Sequence, residues 1–122
     1  MNERTVFIIE DDSDTREMLA KFLELEGYHV EMAANGQQAL DRLATGAPAC
    51  VIVLDLMMPV MDGWQFRRMQ VEDARLSKIP TIVVSAAGRE RMAHISADAY
   101  LAKPIDMDEL LTRVSEFCPA AR

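Results

Sequence analysis

Cys50-Val51-Ile52-Val53-Leu54-Asp55 sets five apolar residues before a single carboxylate. A short, unbroken run rich in Val and Ile is the pattern of a strand covered on both faces, as in a parallel sheet. Working outward, the same arrangement recurs. Val6-Phe7-Ile8-Ile9 ends at Glu10-Asp11-Asp12, Thr81-Ile82-Val83-Val84 ends at Ser85, and Tyr100-Leu101 leads to Lys103-Pro104. Four strand ends thus carry carboxylates, a hydroxyl and an ammonium. Parallel strands would gather all of them on one edge of one sheet.

Segments of helical period alternate with these runs, which predicts an α/β fold of βα units. The expected strands are Thr5–Ile9, His29–Met32, Cys50–Leu54, Ile79–Val84 and Ala99–Ala102. His29-Val30-Glu31-Met32 alternates and is placed at an edge. Helix one is expected from about Asp14 to Glu26, turning Met18, Leu19, Phe22 and Leu23 inward, with Gly27 as its C-cap. Helix two spans about Gly36 to Ala44. Helix three starts at Gly63 and buries Phe66 and Met69. Helix five is capped by Asp106, with Glu109 at capping-box spacing and a stripe of Leu110, Leu111, Val114 and Phe117. Helix four has room for about two turns between Gly88 and Ile95.

The 122 residues form one domain, 1–122, with no linker, repeat or effector segment; Met1 opening into strand one reads as a natural start. A net charge of -7 argues against nucleic acid and anionic membrane as partners. Glu10-Asp11-Asp12 interrupts the first apolar run and Asp55 the longest one, so neither a signal peptide nor a membrane span is expected. Cys50 and Cys118 suggest no disulfide framework; Cys50 reads as a small buried apolar residue, suited to a reducing cytoplasm.

Three carboxylates drawn together repel by about 4 kcal/mol per close pair at an effective dielectric of twenty. Lys103 offsets one charge, and a hard divalent cation would offset two more. Magnesium suits such a set, with manganese as a substitute. With that neutralisation in place Asp55 becomes a nucleophile toward a phosphoryl group. Singly, each residue has an ordinary reading: the acids and Ser85 as helix caps, Lys103 as a surface charge. Their joint occurrence at four strand ends favours a site.

Ile8-Ile9-Glu10-Asp11-Asp12, then Asp55-Leu56-Met57-Met58-Pro59-Val60-Met61-Asp62-Gly63, then Ser85-Ala86, then Tyr100-Leu101-Ala102-Lys103-Pro104 together resemble the receiver domain of two-component response regulators. The resemblance runs the length of the chain and implies a CheY-like, flavodoxin-like (βα)5 fold with strand order 2-1-3-4-5. It makes Asp55 the phosphoacceptor. Glu10, Asp11, Asp55 and the Met57 backbone carbonyl become metal ligands, Glu10 directly or through water. Asp12 is left as a loop acid or helix cap. Ser85 and Lys103 would hold phosphoryl oxygens, Tyr100 would couple to Ser85 as a switch, and the Lys103-Pro104 peptide would be cis. A histidine kinase or a histidine phosphotransfer protein is the implied donor, and an unidentified downstream protein the receiver of the signal, with the chain a monomer or weak dimer.

Two departures stand out. The segment from Ser85 to Lys103 is shorter than is usual in the family by about one helical turn, all of it in helix four. Ser96 also replaces the glycine expected at a left-handed helix end. Met57 and Ala87, two residues beyond Asp55 and Ser85, are apolar and offer nothing to orient an attacking water, which implies slow self-dephosphorylation. The competing reading is a phosphorylation-independent docking module on this fold. A flavin-binding enzyme is disfavoured because the acidic first loop is the opposite of a phosphate cradle. An aspartyl-phosphate hydrolase would want a second acid where Met57 and Met58 stand.

Overall fold

A computed structural model describes residues 4–86 and 88–119. Five parallel strands, β1 (Thr5–Ile9), β2 (His29–Ala33), β3 (Val51–Asp55), β4 (Thr81–Ser85) and β5 (Ala99–Ala102), form one sheet in the order β2-β1-β3-β4-β5. The helices are α1 (Ser13–Leu25), α2 (Gly36–Ala44), α3 (Gly63–Glu72), α4 (Arg89–Met92) and α5 (Met107–Phe117), with a short 3-10 turn at Leu76–Lys78. This is the flavodoxin-like arrangement expected from the alternation of runs.

The continuous apolar strands serve two cores at once, because successive side chains point to opposite faces. Val6, Ile8, Val51, Val53, Ile82 and Val84 pack with Leu19, Leu23, Leu110 and Val114 from α1 and α5. Phe7, Ile9, Ile52, Leu54 and Val83 pack with Ala39, Leu43, Phe66 and Met92 from α2, α3 and α4. β1, β3 and β4 are buried throughout, whereas β2, at the edge, is mostly half-buried.

Local signals place the helix starts. Asp12, Asn35, Asp62 and Asp106 each accept a backbone N–H from the third residue onward, and Asp62 completes a capping box with Gln65. Gly27 and Gly46 end α1 and α2 with φ of 95° and 97°.

Several expectations are corrected. Met18 and Met69 are half exposed rather than inward. The buried partner of Phe66 on α3 is Gln70, whose two Nε2 hydrogens are shared among Leu76 O, Ile79 O and Thr81 Oγ1, each 3.0–3.1 Å away. A polar side chain is stable there because every capacity is used. α4 has a single turn, followed by tighter bonds from His94 N to Arg91 O and Ile95 N to Met92 O. Ser96 does not take a left-handed conformation. Among the described non-glycine residues that conformation falls to Val60, at φ 69°.

Cys50 is not a solitary apolar residue. It is joined to Cys118 in a disulfide, with 5.5 Å between Cα atoms. A separation of 68 residues hid the pairing from the sequence. α5 runs back against the strand direction, so its C-cap, Cys118, arrives beside the residue that precedes β3.

Candidate functional site

At the carboxyl edge of the sheet, β1 delivers Glu10 and Asp11, β3 delivers Asp55, β4 delivers Ser85 and β5 leads to Lys103. Ligands of open parallel sheets sit at this edge, where the strand order reverses between β1 and β3. Carboxylate oxygens of Glu10, Asp11 and Asp55 lie within 4.8 Å of one another. Glu10 and Asp55 are buried and Asp11 is exposed. The Lys103 ammonium donates to Glu10 Oε1 at 2.8 Å and stands 3.6 Å from Asp55 Oδ2. Its backbone N–H donates to Ser85 O at 3.0 Å, which fixes the end of β5 beside the fully buried Ser85. The Lys103–Pro104 peptide is cis.

Electrostatics follow from that crowding. Burial, then the charge of Glu10, pushes the Asp55 carboxyl up to about 7, against the pull of Lys103 and of the Met57 N–H, which donates to Asp55 Oδ1 at 3.3 Å. Burial lowers Lys103, but its hydrogen bond to Glu10 and the charges of Asp55 and Glu10 outweigh this and raise it above the ordinary lysine range. A buried carboxylate that is hard to ionise is one that a hard cation relieves. The three acids fit such an ion: all are oxygen donors, and no soft ligand lies among them.

Residues 6–115 match the family of the response regulator receiver domain. This chain belongs to that family. It is 39% identical over 111 residues to the response regulator Rre1 of Synechocystis, covering 87% of this chain and 48% of Rre1. Receiver structures agree with it closely. The receiver domain of a signal transduction histidine kinase from Syntrophus aciditrophicus is 29% identical with a TM-score of 0.87, over 93% of this chain and 89% of that one. The receiver domain of a sensor histidine kinase from Pseudomonas aeruginosa is 25% identical with a TM-score of 0.85, over 96% and 98%. That protein holds a magnesium ion in its active-site cleft. The receiver spans about half the length of the curated relatives it matches.

Asp12 is the N-cap of α1, its Oδ2 accepting from Thr15 N at 2.8 Å and Thr15 Oγ1 at 2.5 Å. Those bonds, the side-chain one first, hold its carboxyl below the usual range. Tyr100 is turned outward. It is partly exposed, its hydroxyl donating to Ile95 O at 2.6 Å and accepting from Ala97 N at 2.9 Å. Met57 is half exposed, and Ala87 lies outside the described residues.

Two contributors went unseen in the sequence. Arg16 Nη1 donates to Glu10 O at 2.7 Å and reaches Asp11 O at 3.4 Å, tying the acidic loop to α1. Its place six residues beyond Glu10, just inside a helix, was the available signal. Gly63 is needed for closeness. A Cβ there would lie 2.6 Å from both Asp55 O and Leu56 Cα, so the start of α3 rests directly on the end of β3.

Proposed function

We propose that this receiver accepts a phosphoryl group on Asp55 from a phosphohistidine of a histidine kinase or phosphotransfer protein. The observation carrying this is the convergence of Glu10, Asp11 and Asp55 within 4.8 Å beside Lys103. Glu10, Asp11, Asp55 and the Met57 carbonyl would hold magnesium, which when bound neutralises the acids and draws phosphoryl oxygens into the pocket.

An Asp55 carboxylate oxygen attacks phosphorus, the donor's N–P bond breaks, and the imidazole leaves with the electron pair. Lys103 and Ser85 then hold the phosphoryl oxygens by ion pair and hydrogen bond. Lys103 must loosen its hold on Glu10 to do so. Drawing in the Ser85 hydroxyl favours an inward Tyr100, which requires its bonds to Ile95 O and Ala97 N to break. The resulting population shift remodels the face of α4, β5 and α5, by which the receiver engages a downstream protein. Apolar Met57 and Ala87 leave the acyl phosphate to decay slowly, so the domain works as a cytoplasmic switch rather than a turnover enzyme.

The test is incubation of wild type and Asp55→Asn with acetyl phosphate and magnesium, followed by intact mass. Wild type should gain one acid-stable, base-labile phosphate and the variant none. Equal labelling of the variant would refute the assignment.

A further inference from the structure

Cys50 and Cys118 lie at the amino-terminal edge of the sheet, whereas Asp55 ends the same strand roughly 16 Å away at the rise of a parallel strand. The site described above makes no use of them. Their surroundings differ. Cys118 is fully buried, its N–H donating to Val114 O at 2.8 Å and its carbonyl accepting from the buried Tyr28 hydroxyl at 2.9 Å. Cys50 is only part-buried, which makes it the more exposed of the two. The backbone bonds of Cys118 and the packing of Leu110 and Val114 are independent of the sulfur link. A chain of this size with two complete cores does not need a staple in order to fold. The two thiols would therefore remain opposed after reduction.

We propose that Cys50 and Cys118 form a reversible thiol–disulfide site whose co-substrate is a low-molecular-weight disulfide, and which ties the end of α5 to the start of β3. The more exposed Cys50 thiolate attacks one sulfur of the external disulfide, whose S–S bond breaks and releases a thiolate that takes up a proton. The Cys118 sulfur then gives up its proton and attacks the Cys50 sulfur of the mixed disulfide, expelling the second small thiol. Two protein thiols lose two hydrogens in all, and one external disulfide becomes two thiols. Oxidation fixes the last turn of α5; reduction leaves it to the Val114 and Tyr28 hydrogen bonds.

The experiment equilibrates the full chain in glutathione buffers of graded oxidised-to-reduced ratio, quenches with acid, alkylates free thiols and weighs the product. Both thiols should disappear together as the ratio rises and return together as it falls. The fully oxidised form should melt roughly 10 °C above the reduced form. Cys118→Ser should instead accumulate one glutathione on Cys50, and Cys50→Ser should take up far less. The proposal is overturned by thiols that stay alkylatable in the most oxidising buffer, by a bond that native protein keeps in excess reduced glutathione, or by independent adducts on each cysteine. The wild-type titration decides among these even if a serine variant fails to fold.

Discussion

Lys103 donates to Glu10 at 2.8 Å across 93 positions of sequence, the closest ion pair of the pocket. It stands farther from Asp55, at 3.6 Å. The lysine therefore neutralises Glu10 first and remains within reach of Asp55. Since Glu10 is almost wholly buried, removing its cation strands a charge. Lys103→Met should lose about 1–2 kcal/mol at pH 8 with divalent cations chelated, and should label with acetyl phosphate at least tenfold less. Urea unfolding and intact mass check the two halves; unchanged stability would contradict the pairing.

Asp55 predicts a pH dependence. Its carboxyl is raised to about 7 in the fold, against an ordinary value near 3.8. The folded chain thus keeps a proton that the unfolded chain has already released. On this account stability is greatest below about pH 4, declines as pH rises toward 7 and is flat above. Without divalent cations, Asp55→Asn should be more stable than wild type by about 1–3 kcal/mol at pH 8, with the gap closing toward pH 4. Magnesium should reduce the gap at pH 8 by stabilising wild type alone. Parallel pH profiles for the two proteins would rule this out.

Gly63 carries a steric prediction. A Cβ at 2.6 Å from two backbone atoms of Asp55 and Leu56 cannot be absorbed by a flexible side chain. Gly63→Ala should cost about 1–3 kcal/mol and weaken phosphorylation by displacing Asp55. Gly88→Ala, where a Cβ would meet nothing within 4 Å, is the control. Similar losses in both variants would show that the clash is not the cause.

The single turn of α4 relies on α3. Trp64 Nε1 donates to Arg91 O at 3.3 Å, and the Arg91 guanidinium stacks over the indole 4.8 Å from its centre. Trp64→Ala should cost about 1–2 kcal/mol and should raise hydrogen exchange selectively in residues 89–95. Uniform loss of protection across the sheet would assign Trp64 to the global core instead.

The parallel sheet, its central strands and the Asp55 pocket were readable from the chain because each rests on a local rule. Runs such as Val51–Leu54 bury both faces, and a parallel strand has one chemical edge. Asp12, Asp62 and Asp106 announce helix starts through hydrogen bonds spanning only three residues. Side chains on the faces of helices were less legible. Met69 and Gln70 are adjacent, and hydropathy favours the methionine; the carbonyls of Leu76 and Ile79 and the hydroxyl of Thr81 reverse the choice.

Amino-acid order alone determined which groups could meet at the carboxyl edge, since strand ends and helix caps are set by neighbours a few residues apart. Only the folded chain decided that Lys103 favours Glu10 over Asp55, that Tyr100 faces outward, and that Cys50 meets Cys118. These are contacts between residues brought together by crossovers, where less than an ångström separates one partner from another. No periodicity encodes such distances.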